Sequence, residues 1–98
     1  KATDEEKAMR KAAIQDATRV ATEIPLETMK ACAALLRLQQ VVAANGNPNA
    51  ASDVYVAGLL ARAALEGARS NVDINIGGIS GPAIAASLKA QADSYARS

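Results

Sequence analysis

The chain has 98 residues, eleven basic and ten acidic side chains for a net charge of +1, and no histidine, tryptophan or phenylalanine. Near-neutral charge excludes a strong field for nucleic acid or membrane surfaces, and the lack of imidazole excludes histidine-based metal sites and acid/base catalysis within this chain. The length suits one small domain, 1–98, but its apolar half is mostly alanine, which buries little area and favours close helix packing against a partner surface, such as a second copy.

Thr3-Asp4-Glu5-Glu6 is a capping box, so a helix is expected to start at about residue 4. Met9, Ala13, Ala17, Val20 and Ile24 recur at spacings of three and four, with Ile14 and Ala21 alongside, which predicts that this face is buried. Pro25 lacks an amide hydrogen and clashes with the carbonyl four residues back. It therefore kinks the helix or starts a new one. Leu26, Met29, Ala33, Leu36 and Gln40 keep the spacing, and Leu35, Leu38 and Val42 widen the apolar surface. A kinked or nearly continuous helical run to Asn45-Gly46 follows, with Gly46 expected in the left-handed capping conformation. Cys32, flanked by Ala31, Ala33 and Ala34, reads as a small core residue in a reducing compartment.

A polar turn comes next, with Asn49 or Ser52 expected to cap another helix. Along that helix Ala57, Ala61, Ala64 and Ala68 form a stripe of small residues, open to close helix approach within the chain or across an interface. Asn71-Val72-Asp73-Ile74-Asn75-Ile76 alternates as a strand does, yet continues the helix without a breaker; only as helix do Asn71 and Asn75 share a face. Gly77-Gly78 ends it. Ser80-Gly81-Pro82 starts a last helix with Pro82 first, and Ile84, Leu88, Gln91 and Tyr95 give it an apolar stripe. No run approaches the roughly 18 apolar residues of a membrane span and no signal-peptide pattern is present, so the chain is expected to be cytoplasmic.

Chemistry concentrates in Gly46 to Asp53. Asn47, Asn49, Ser52 and Asp53 are residue types that cap helix starts, and a helix N-terminus is also a seat for a carboxylate or a developing anion. Asp53, in the first turn, is placed to accept or relay a proton if burial favours its neutral form. If residues 52–76 form one helix, Asp53 and Asn71 share a face but lie about 27 Å apart along it. One small substrate does not reach both in a single chain; an antiparallel partner, or the two ends of a long ligand, would join them.

The string Gly46-Asn47-Pro48-Asn49-Ala50-Ala51-Ser52-Asp53, the later Asn71-Val72-Asp73-Ile74-Asn75, and the acidic-basic helix running into Pro25-Leu26-Glu27 together resemble the second half of the cyclodeaminase/cyclohydrolase family. That resemblance covers nearly the whole chain. It implies an all-α fold of long helices packed as a bundle, completed by a dimer partner or by a glycine-rich N-terminal half that is missing here. The start at Lys1, without methionine, is read as a cut from a longer protein. The resemblance further implies hydrolysis of 5,10-methenyltetrahydrofolate to 10-formyltetrahydrofolate, with no cofactor beyond the folate, no metal, and a homodimeric enzyme. Alternatives are a cyclodeaminase that releases ammonia from a formimino group, and a helical dimerisation module without catalysis. The site expected from it has Asp53 as the catalytic group and Asn47, Asn49, Ser52, Asn71 and Asn75 as substrate-binding groups. Lys30, Arg37, Arg62 and Arg69 are candidates for attracting a folate glutamate tail, and Lys1 and Glu27 flank the matching segments.

Overall fold

The computed structural model describes residues 2–98 and is all-α: α1 (Asp4–Asn45), α2 (Ala51–Ile76) and α3 (Pro82–Ala96), with a 3-10 turn (Pro48–Ala50) before α2. No strand occurs among the described residues, so residues 71–76 complete α2. The alternation there is overridden by context. Val72 is fully buried, and Asp73 pairs with Arg69 one turn earlier, a contact that only helical spacing provides.

α1 begins as its first residues dictate. Thr3 Oγ1 accepts from the Glu6 amide at 3.1 Å, and the Thr3 amide donates to Glu6 Oε1 at 3.2 Å. The helix then runs 42 residues straight through Pro25. It stops at Gly46, but not by the left-handed route. Gly46 is extended, with φ −85° and ψ 178°, and no described residue has a positive φ. Glycine is needed there because its amide bonds back to the Val42 carbonyl, and a Cβ would collide with that same oxygen.

α1 and α2 form a long antiparallel hairpin, and α3 folds back along the second half of α2. The core is one line of side chains along this seam: Leu26, Met29, Cys32, Ala33 and Leu36 from α1, Ala61, Leu65, Ala68 and Val72 from α2, Leu88 and Ala92 from α3. Cys32 is buried in it, as its neighbours suggest. Of the alanine stripe, Ala61 and Ala68 are used within the chain while Ala57 and Ala64 stay exposed. Gly58 lets Gln39 lie across α2, since a Cβ at Gly58 would sit 3.0 Å from the Gln39 amide carbon.

The expected buried face of the first half of α1 is not buried. Met9, Ile14, Val20 and Ile24 are all exposed, and the side facing the rest of the chain carries Gln15, Thr18 and Thr22 instead. The reason is the turn between α2 and α3, which packs here and brings unpaired backbone groups. Gln15 answers two of them: its Nε2 donates to the Gly78 carbonyl at 3.0 Å, and its Oε1 accepts from the Ser80 amide at 2.9 Å. Gly78 approaches closely enough that a Cβ would lie 3.3 Å from the Thr18 methyl. In α3, likewise, Leu88 and Ala92 are buried and Tyr95 is half-buried, while Ile84 and Gln91 face solvent.

The result is long and narrow, 68 × 22 × 14 Å, with a radius of gyration of 18.5 Å where a globule of this length has about 13 Å. The half of the hairpin that α3 does not reach is two helices thick. Leu35, Leu38 and Val41 on α1 and Tyr55, Leu59 and Leu60 on α2 are all more than half exposed there.

α3 is fastened to α2 by Arg69, which reaches Asp93 at 2.7 Å and Asp73 at 2.9 Å. The hydrogen bond from Arg69 holds the Asp93 carboxyl below the usual carboxylate range, and Lys89 at 3.3 Å adds to this. A carboxyl whose folded-state pKa is depressed stabilises the fold above its unfolded value of about 3.9, and that contribution is lost as pH falls through the folded value. Thermal melts of the wild type are therefore expected to lose stability as the pH falls below about 5. Asp93→Asn flattens that slope, and an unchanged slope would place the acid sensitivity elsewhere.

Candidate functional site: the turn before α2

The expected site residues fall into two groups. Asn47, Asn49, Ser52 and Asp53 lie together where the 3-10 turn feeds α2, and all four are exposed. Asn47 caps the turn: its Oδ1 accepts from the Asn49 amide at 2.9 Å, and its carbonyl accepts from the Ala50 amide at 2.9 Å. Pro48 follows at the first position, where a missing amide costs nothing. This arrangement takes over the capping expected of Asn49 or Ser52. α2 has Ala50 as its cap residue, with no side-chain cap hydrogen bond.

That local outcome matters chemically. With no side chain capping it, the start of α2 leaves Asp53 exposed as the acidic residue of its first turn, while the Ala51 amide is taken by the Pro48 carbonyl. Asn49, Ser52 and Asp53 thus put an amide, a hydroxyl and a carboxylate on the surface at this end of the molecule. The turn also borders a cleft of about 400 Å3 lined by Gln39, Val42, Gly46, Asn47, Pro48 and Tyr55, among others; of the expected site residues only Asn47 lines it, and Asn49, Ser52 and Asp53 lie outside it. Gln39 and Tyr55 are polar groups at this end that the sequence reading did not single out. The available signal was Gln39 interrupting the apolar run around Leu38 and Val41, with Gly58 opposite to admit it.

The second group is elsewhere. Asn71 and Asn75 share one face of α2, as helical spacing requires, and line an open groove with Ala21, Ile24, Pro25 and Thr28 of α1. Asn71 is exposed; Asn75 is half-buried and commits its Nδ2 to the Ala21 carbonyl at 3.0 Å. Because α2 is a single helix, Asp53 and Asn71 are eighteen residues or about 27 Å apart in one chain. The fold does not bring the two groups together.

The basic candidates divide in the same way. Arg69 is held by Asp73 and Asp93, and Arg62 donates to the Ser98 carbonyl, so both are engaged in tethering α3. Lys30, Arg37 and Glu27 are exposed, and Lys1 lies outside the described residues. No described cluster of three or more Cys, Asp or Glu side chains is close enough to hold a metal ion, and no described helix is long and apolar enough to cross a membrane.

Comparison with known proteins shows the family. The sequence profile of the formiminotransferase-cyclodeaminase family matches residues 1–94, which takes in both asparagine groups and Asp53. The chain belongs to that family. It is also 45% identical over 85 residues to the methenyltetrahydrofolate cyclohydrolase of Methylorubrum extorquens, a match that covers 87% of this chain. The match covers 41% of that relative, so the chain spans less than half of the relative's length.

Proposed function

We propose that the full-length protein is a methenyltetrahydrofolate cyclohydrolase of one-carbon metabolism, working in the cytoplasm as a homodimer with no cofactor beyond the folate itself. The observation that carries this reading is the 45% identity to a cyclohydrolase through the stretch that holds the polar turn. In the reaction, water adds to the amidinium carbon of the substrate and loses a proton. The carbinolamine hydroxyl proton then moves to N5 as the C–N5 bond breaks, and the formyl group stays on N10. One proton is released in all. Asp53 is assigned as the acceptor of the first proton, from its exposed position in the first turn of α2. Asn47, Asn49 and Ser52 are assigned to the substrate beside it, since a pterin ring needs amide donors and acceptors and these side chains are exposed at one end of the molecule. Asn71 is assigned to the same substrate from a second chain laid antiparallel.

The exposed apolar half of the hairpin supports the dimer, because contiguous apolar surface of this kind marks an interaction site. A second reading has its own observation: the matching family is described by its formiminotransferase-cyclodeaminase members, in which a formimino group closes onto the other nitrogen and ammonia leaves. Separate assays of the full-length protein with methenyl- and formimino-tetrahydrofolate distinguish them. Turnover of the methenyl substrate is expected. Ammonia release from the formimino substrate alone would replace the cyclohydrolase reading by the cyclodeaminase.

A further inference from the structure

α1 passes through Pro25 without a break, and that has a cost at a definable atom. A proline has no amide hydrogen, so the carbonyl four residues earlier, Ala21, loses its helical partner. Ala21 is exposed at the groove, so without a protein partner its carbonyl would turn to water, and an intramolecular partner there is worth about one net hydrogen bond. In this structure Ala21 does have a partner, and it comes from 54 residues away: Asn75 Nδ2 donates to it at 3.0 Å. Asn75 and Pro25 are both half-buried and line the same groove. We propose that Asn75 is a positioning residue that stands in for the amide Pro25 lacks, locking the last turn of α2 onto α1 at the proline.

The lock has consequences for the groove. The Asn75 carbonyl accepts from the Gly78 amide at 3.0 Å, so the residue that satisfies α1 also begins the turn that ends α2. Asn71 lies one turn earlier on the same face, and its place in the groove follows from where Asn75 is held. Pro25 and Asn75 form one device split between two helices. This inference stands independently of the folate reading, since its first test needs no ligand.

The test is a double-mutant cycle in the full-length protein with Pro25→Ala and Asn75→Ala, unfolded in denaturant without ligand. Alanine at 25 restores the backbone amide and so gives the Ala21 carbonyl its helical partner back. With Pro25 present, Asn75→Ala is expected to lower the folding equilibrium constant roughly tenfold. In the Pro25→Ala background the same change is expected to lower it by about twofold or less. Equal losses in both backgrounds overturn the proposal. If Asn75→Ala alone does not fold, a folded double variant is the expected result, and a double variant that also fails overturns it. Steady-state KM is the second readout. Asn75→Ala is expected to raise KM and Pro25→Ala to restore it in the double variant; a deficit that persists there means Asn75 touches the substrate, and overturns the proposal.

Discussion

Asp53→Asn in the full-length protein is expected to lower kcat by roughly a hundred- to ten-thousand-fold while leaving the melting temperature nearly unchanged. The two halves of that expectation have separate causes. Asparagine keeps the size and the carbonyl oxygen of the side chain but cannot take up the proton that water releases at the amidinium carbon. Stability is spared because Asp53 is exposed and no ion pair within the described residues uses it, and surface changes of this kind stay within about 0.5 kcal/mol. A kcat within about threefold of wild type would remove Asp53 as the proton acceptor. Activity lost only in proportion to folded protein would return the turn to a purely capping role, the reading in which the chain is a non-catalytic dimerisation module. Binding separates these outcomes: wild type and Asp53→Asn are both expected to be stabilised thermally by folate, since the substitution removes a proton acceptor and leaves Asn47, Asn49 and Ser52 in place.

The second large effect concerns sharing of the site between chains. Asp53→Ala and Asn71→Ala are each expected to be inactive, and mixing the two unfolded full-length proteins and refolding them together is expected to recover about one quarter of wild-type activity. Random assortment makes half of the dimers mixed, and in each of those one site has both residues intact while the other has neither. The physical basis is the single helix between them. With α2 unbroken from Ala51 to Ile76, about 27 Å of helix separates the two side chains, and no rotamer change closes that distance. An antiparallel neighbour reverses the direction of α2 and sets the Asn71 end of one chain beside the Asp53 end of the other. No recovery on mixing would mean that each site draws on one chain, and that Asn71 serves a different part of the folate from the reacting carbon.

Both experiments turn on placements that differ in how far the residues announced them. The helix start at Thr3 to Glu6 was legible because a capping box closes within four residues. The end at Gly77-Gly78 and the restart at Pro82 were legible because a glycine pair breaks a helix and a proline suits its first position, both local effects. The conformation of residues 71–76 was open by pattern alone, and burial of Val72 against the core decided it. Gly46 was recognised as the stop of α1, but its mechanism depends on a backbone approach to Val42 that composition does not reveal. In the site, Asn47 and Asp53 were readable as turn and first-turn residues. Gln39 and Tyr55 became visible only when two helices met at the cleft beside them.

The sequence by itself determined the elements and their ends, because caps, breakers and helical spacing act over one or two turns and need no partner. It also marked the polar turn as the candidate site proposed here. Only the tertiary structure decided which face of each helix is used. Met9, Ile14, Val20 and Ile24 looked like the inner face of α1, yet Gln15, Thr18 and Thr22 face inward because the α2–α3 turn arrives with backbone groups that need hydrogen-bond partners. The same physics explains Asn75. A carbonyl orphaned by Pro25 is a local fact, but the side chain that answers it is 54 residues away, and only the folded hairpin brings the two together.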